Sequence, residues 1–253
     1  MEYRPLGNTG MEVSLLGLGT VKFGRNQGVN YPKAFAIPDA ASAAALLDVA
    51  RELGINLLDT APAYGTSEER LGNLLKNSRA DWLLCTKVGE EFNDGISTHN
   101  FTPEQTEISV HRSLARLQTD YLDIVLIHSD GNDLEILDRL GTLQALQALK
   151  QAGLIRAVGI SHKSVVGAQR ALVMGADVLM ATLNIETTAE AQIIEAAGKA
   201  KCGVLVKKVL ASGYGSVASL RYVGQQAGVC SMVVGTIDPI HLRENAQILE
   251  SLG

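Results

Sequence analysis

Eight short runs of consecutive apolar residues, separated by helix-like segments, constrain this chain more than any other feature. They fall at residues 15–19, 55–58, 82–86, 122–127, 154–160, 178–183, 204–206 and 230–234. The runs are continuous, not alternating in polarity. Strands of that kind are buried on both faces, which is the mark of a parallel sheet. Helical patterns fill most of the gaps. Leu46, Val49, Ala50 and Leu53 recur at i, i+3, i+4 and i+7, Pro38-Asp39 opens that segment and Gly54 closes it. Thr102-Pro103-Glu104-Gln105 supplies an N-cap, a proline at the first helical position and a capping-box Gln. Further helices are expected over 67–76, 133–150 and 164–174, then from Thr187, with Glu190 as its capping partner, to about 201, weakly over 217–226, and after Asp238-Pro239. Eight strand–helix repeats in 253 residues predict an α/β protein, a (β/α)8 TIM barrel. An open doubly wound sheet is the alternative. No Gly-x-Gly-x-x-Gly lies in a strand-to-helix turn to support it, because Gly17-x-Gly19 and Gly213-x-Gly215 both lack the third glycine.

Before the first run, residues 4–14 read as a small β-hairpin turning through Gly7-Asn8 and Thr9-Gly10. After it, residues 20–38 form a polar, Gly-containing connection, long enough to suggest a functional loop. No linker interrupts the repeats, so a single domain over residues 1–253 is expected. Net charge is −5 and Lys207-Lys208 is the largest basic cluster, which argues against nucleic acid. The N-terminal stretch has no apolar h-region and no apolar run approaches a membrane span, so neither a leader nor a membrane partner is expected. Cys85, Cys202 and Cys230 lie in or beside apolar runs, odd in number and without metal-ligand spacing. They read as buried reduced thiols of a cytoplasmic protein, and no metal site is expected.

In a barrel, reactive groups gather at the C-terminal ends of the strands. Applied here, that rule collects Asp59 and Tyr64 after the second run, Lys87 after the third and His128 after the fourth. Any one of them alone is more often a solvated charge or a satisfied polar group. Four at three successive strand ends suit one chemistry, proton donation to a carbonyl oxygen as hydride arrives. A lysine beside Tyr64 would lower the phenol pKa, and Asp59 would hold that lysine charged. His128 would hydrogen-bond the substrate oxygen or assist the transfer, where a developing oxyanion needs preorganised donors.

The same residues lie in motifs that resemble the aldo-keto reductases. Asp59-Thr60-Ala61-x-x-Tyr64-Gly65, followed by Glu68 and Leu71-Gly72, is similar to that family's first signature. Leu114-x-x-Leu117-x-x-Asp120-Tyr121-Leu122-Asp123, closing on Ile127-His128, is similar to the second. Residues 155–161, residues 235–245 and the opening hairpin, as the piece that closes the barrel bottom, also fit. The resemblance implies a catalytic set of Asp59, Tyr64, Lys87 and His128. It further implies an extended nicotinamide cofactor, NADP(H) with NAD(H) as the alternative, lying across the barrel mouth. Carried over by position, Thr20 and Asp59 would lie near the nicotinamide ribose and Ser161 would bind the carboxamide, with His162 where Asn is commoner. Leu210, Ser212 and Gly213 would pass the pyrophosphate. Gly235, Thr236, His241 and Asn245 would surround the adenosine phosphate and adenine, with His241 or Arg243 as the cation for a 2′-phosphate.

Three positions depart from the family pattern. Met180 and Leu183 stand on strand six where Gln and Tyr are usual, and Lys207 stands on strand seven where an aromatic often stacks on the nicotinamide. The implied protein is a monomeric NADP(H)-dependent oxidoreductase interconverting a small aldehyde or ketone and an alcohol. A cofactor-binding regulatory or partner-binding barrel with little turnover is the other function such a chain could serve.

Overall fold

The computed structural model describes residues 1–251. Eight parallel strands close into a barrel: β3 (Leu16–Gly19), β4 (Leu57–Asp59), β5 (Leu83–Val88), β8 (Leu122–His128), β9 (Ile155–Ser161), β10 (Val178–Thr182), β11 (Gly203–Lys207) and β12 (Ser231–Val234). Closure is made by Val234 of β12 pairing with Leu18 of β3. The remaining strands form two hairpins, β1 (Tyr3–Pro5) with β2 (Glu12–Ser14), and β6 (Glu90–Asn93) with β7 (Ile96–His99). The outer layer holds α2 (Ala40–Glu52), α3 (Ser67–Leu74), α4 (Pro103–Leu117), α5 (Asp133–Asp138), α6 (Thr142–Gln151), α7 (Val165–Val173), α8 (Ala191–Lys199), α9 (Ala218–Gly224) and α10 (Pro239–Glu250), with a short α1 (Val21–Gly24) after β3.

Two apolar layers follow from strands buried on both faces. Leu57, Cys85, Ile124, Leu126, Ala157, Val178, Met180, Leu205 and Cys230 fill the barrel interior, and Leu6, Met11 and Val13 from the N-terminal hairpin pack onto the same cluster. Gly7, at φ +54°, sits so close to the start of β11 that a Cβ there would collide with the Gly203 nitrogen. The hairpin therefore plugs the N-terminal end of the barrel, as expected. The larger cluster lies between strands and helices, with Leu46, Leu71, Val110, Leu146, Ala168, Ile194 and Leu242 supplied by the helices.

Caps place the helices where their sequences call for them. Asp39 accepts from Ser42 N, Thr102 from Gln105 N, Ser164 from Gly167 N and Asp238 from Ile240 N. The signature glycine Gly72 has a packing reason, since a Cβ there would strike the Arg116 carbonyl oxygen of α4. Its neighbour Glu68 is buried, accepts from the Thr86 hydroxyl at 2.6 Å and lies 3.4 Å from Arg116, so α3 is bolted to the strand that carries Lys87.

Three expectations need correction. The helix expected over 133–150 is two helices, broken at Gly141, whose φ of +76° no continuous helix accommodates. Thr187 does not cap α8. Glu190 is the N-cap residue by position, and its carboxylate accepts instead from Thr182 N at 2.9 Å. The β6–β7 hairpin was not expected from the sequence, and it stands beside Lys87 at the barrel mouth.

Candidate active site

The side chains taken from three successive strand ends converge. Asp59 ends β4, Lys87 lies one residue before the end of β5, His128 ends β8, and Tyr64 closes a tight helical turn, Pro62–Tyr64, just beyond β4. Gly65 turns the chain there at φ +60°, pressed against the Gly24 carbonyl. Lys87 is at the centre and 1% exposed. Its Nζ donates to Asp59 Oδ1 at 2.6 Å, to the Thr60 carbonyl at 2.9 Å and to the Tyr64 hydroxyl at 3.2 Å. The Tyr64 and His128 rings meet edge to face with centroids 6.3 Å apart.

The electrostatics follow from this burial. Desolvation pulls the Lys87 ammonium down, but Asp59, Tyr64 and Cys85 together outweigh it, and its pKa is raised. Lys87 is therefore a fixed cation. Desolvation pushes the Tyr64 phenol up, and the nearby Lys87 only partly offsets this, so the net shift is upward. The expectation that Lys87 leaves the phenol below its ordinary value is corrected by that burial. At neutral pH Tyr64 holds its proton, with the Lys87 ammonium 3.2 Å from its hydroxyl. His128 is pulled below its ordinary value by burial, with Glu90 pulling the other way.

A second group lies on the strands opposite. The Lys207 Nζ, at the end of β11, donates to Ser161 Oγ at 2.8 Å and to the His162 carbonyl at 2.8 Å. It has no carboxylate partner within salt-bridge distance among the described residues, and burial lowers its pKa to about 7. His162 is fully buried, and neither ring nitrogen has a hydrogen-bond partner; Nδ1 lies 3.6 Å from Glu190 Oε2. Burial first, and the Lys207 charge second, lower its pKa to about 4.

The other residues assigned to the cofactor by position are more dispersed. The Thr20 hydroxyl donates to the Asp59 carbonyl at 2.9 Å, so it braces β3 against β4. Leu210, Ser212 and Gly213 shape a tight turn after β11 in which Ala211, Ser212 and Gly213 all take positive φ. The Thr236 hydroxyl accepts from Asp238 N at 3.0 Å. Asn245 is buried on α10. His241 is largely exposed and 3.6 Å from Asp238. Arg243, half exposed, donates to Glu52 of α2 at 2.7 Å, so a phosphate would compete with that ion pair for it. Met180 packs inside the barrel and Leu183 in the outer layer, both as buried apolar side chains.

Three residues missed in the sequence belong to this mouth. Tyr31, in the loop after α1, brings its hydroxyl to 3.3 Å from where a Cβ on Gly235 would lie, and neighbouring Pro32 packs on Gly213. The Lys22 ammonium sits 4.2 Å from the Tyr31 ring centroid, and Tyr31 meets Phe35 edge to face. The long 20–38 connection thus crosses from β3 to the segments after β11 and β12. Arg25 and Glu90 are the other two. Only the β6–β7 hairpin brings Glu90 to His128, and no local spacing marks it.

The family model described as "Aldo/keto reductase family" matches residues 15–218. The chain belongs to the aldo-keto reductase family. A Pseudomonas aeruginosa protein provisionally described as an aldo-keto reductase has a crystal structure similar to this chain, with 50% identity and a TM-score of 0.92, covering 99% of this chain and 94% of that one. Among curated proteins, the uncharacterised oxidoreductase YqkF of Bacillus subtilis is 37% identical over 165 residues, 64% of this chain and 49% of its own. The L-galactose dehydrogenase of Arabidopsis thaliana is 38% identical over 170 residues, 64% of this chain and 48% of its own. The chain spans about half the length of these curated relatives. As a family member it carries that family's (β/α)8 barrel. Among the described residues, no helix is long and apolar enough to cross a membrane.

Proposed function

We propose that this aldo-keto reductase interconverts a small aldehyde or ketone and its alcohol with NADP(H), Tyr64 being the proton donor. One observation carries the reading: Lys87 is buried between Asp59 and the Tyr64 hydroxyl at the C-terminal end of the barrel, at 2.6 Å and 3.2 Å.

A nicotinamide dinucleotide, when bound, would supply or take the hydride. The chain's own residues manage the proton and the charge. Tyr64 gives its proton to the carbonyl oxygen, and Lys87, 3.2 Å away, stabilises the phenolate that remains. Asp59 and the Thr60 carbonyl fix the Lys87 ammonium so that it spends nothing on reorganisation during the step. His128 lies beside Tyr64 to hydrogen-bond the substrate oxygen. Burial holds water back from Asp59 and Lys87, while Tyr64 and His128 keep an edge toward the mouth.

The residues present fit a nicotinamide dinucleotide. The unpartnered His162 ring nitrogens and the Ser161–Lys207 pair supply polar groups at the end of β9 and β11. Gly235 leaves its backbone bare where β12 ends, and Thr236, Asn245 and the start of α10 follow it. A helix N-terminus after strand eight is where barrels hold phosphate. His241, near that N-terminus and without a strong partner, is the side chain that would favour a 2′-phosphate.

A fluorescence titration with NADPH and NADH, followed by a panel of small aldehydes and aldoses in both directions, tests the reading. Saturable NADPH binding with turnover of at least one carbonyl supports it. Binding without turnover of any substrate supports a regulatory barrel instead.

A further inference from the structure

The four side chains of the candidate site leave one neighbour unexplained. Glu90 opens the β6–β7 hairpin and places Oε2 2.9 Å from His128 Nδ1. The approach is short but oblique, outside the angle of a regular hydrogen bond. Its other oxygen lies 3.8 Å from Arg25 Nη1, and the same Arg25 nitrogen donates to the Ala63 carbonyl at 2.9 Å, next to Tyr64. The Arg25 guanidinium also lies 3.6 Å from the centroid of the Phe92 ring on β6. The hairpin, the loop after β3 and the Tyr64 turn therefore meet on one carboxylate, and that carboxylate faces the inner nitrogen of His128. Nδ1 is buried, whereas Nε2 has no hydrogen-bond partner and is not buried, so Nε2 is the nitrogen open to the mouth.

We propose that Glu90 is a positioning residue for His128: its carboxylate selects the Nδ1–H tautomer, and so decides whether Nε2 meets a substrate oxygen as donor or acceptor. This inference rests on His128 acting in the reaction proposed above.

A carboxylate accepts and does not donate, so its 2.9 Å approach favours the neutral ring with its hydrogen on Nδ1. Nε2 then has only a lone pair, which accepts an alcohol proton but offers nothing to a carbonyl oxygen. Protonating the ring adds a hydrogen at Nε2, and the imidazolium donates on both sides, to Glu90 and to the substrate. Reduction then needs the charged ring and oxidation the neutral one. The groups that set this balance come from every side. Lys87 on β5 and Lys207 on β11 disfavour the imidazolium, and Glu90 on β6 favours it. Tyr64 faces the ring from the turn after β4. Glu90 in turn faces Arg25, with Ser97 and His99 of β7. Desolvation raises the Glu90 pKa, but His128, Ser97 and His99 together outweigh it and lower the pKa to about 2, so the carboxylate stays charged throughout the working range.

The test is nitrogen-15 NMR of histidine-labelled protein without cofactor, which reads tautomer and ring pKa directly. It succeeds or fails whatever the activity assays show. The expected wild-type result is the Nδ1–H tautomer of His128 at high pH. Glu90→Gln can offer an N–H to Nδ1 instead. It should move the neutral ring toward the Nε2–H tautomer and lower its pKa by roughly one unit or more, since an opposite charge within about 4–6 Å is worth that much. The alkaline limb of the reduction rate, set by loss of the imidazolium, should move down with it, and Glu90→Asp should restore part of both. An Nε2–H tautomer in the wild type overturns the proposal without any variant. So does a Glu90→Gln protein whose His128 tautomer and pKa are unchanged.

Discussion

Replacing Lys87 by Met gives the sharpest stability prediction. The substitution keeps the length of the stem and removes the ammonium. It deletes three hydrogen bonds, to Asp59 at 2.6 Å, the Thr60 carbonyl at 2.9 Å and Tyr64 at 3.2 Å. It also leaves Asp59, 4% exposed, as a buried carboxylate without its counter-ion. Removing one partner of a buried pair typically costs about 3–5 kcal/mol, most of it the cost of the stranded charge. That is a fifth or more of the roughly 5–15 kcal/mol by which a domain is stable. Asp59→Asn strands the ammonium instead and should also be costly. The double variant strands neither charge and should cost clearly less than the sum of the singles, with a coupling energy of about 2 kcal/mol or more. Urea unfolding of the wild type and the three variants at pH 7, followed by circular dichroism with a shared m value, measures this cycle. A Lys87→Met cost below about 1 kcal/mol, or additive singles, would refute the view that the pair is a buried, mutually dependent unit.

Two further outcomes follow from the opposite side of the mouth and from α10. Lys207 has a folded pKa near 7 against an ordinary value of 10.5, so between those pH values the unfolded chain holds a proton that the folded chain does not. Wild-type stability should therefore gain from rising pH across that window. The stability difference in favour of Lys207→Met should be largest at pH 7 and shrink toward pH 10; urea midpoints showing a pH-independent difference would contradict the assignment. His241→Ala should weaken NADP(H) binding about tenfold or more, as the loss of one charge-assisted contact implies, and leave NAD(H) binding unchanged. Arg243→Ala should alter neither Kd, because Arg243 is held in its ion pair with Glu52.

The barrel was legible because its strands are two-sided apolar runs and its helices carry caps such as Asp39, Thr102 and Asp238 that act locally. The candidate catalytic group was legible for a related reason. Asp59, Lys87 and His128 sit at or near strand ends, and parallel strands in a closed barrel bring their ends to one rim. What escaped notice depends on contacts distant in sequence. Glu90 reads as a polar residue after a strand until the β6–β7 hairpin turns it back onto His128. Tyr31 reads as a loop residue until the chain crosses the mouth to Gly235. The break at Gly141 was missed because the apolar spacing continues across it, while the backbone does not. Arg243 looked available beside the N-terminus of α10, and only the packing of that helix against α2 shows it held by Glu52. The phenol pKa went the other way from the reading of charge alone, because spacing gives the position of Lys87 but not the depth of burial that outweighs it.

The central claim is that Tyr64 gives the proton while Lys87 and Asp59 hold its charge balance. Steady-state carbonyl reduction by Tyr64→Phe, alongside a fluorescence titration of its cofactor affinity, tests that claim most directly. Phe keeps the ring and removes only the hydroxyl. The expected result is a fall in kcat of roughly 10²–10⁴-fold, the usual contribution of a positioned general acid, with cofactor Kd almost unchanged. Retention of more than about a tenth of wild-type kcat would contradict it.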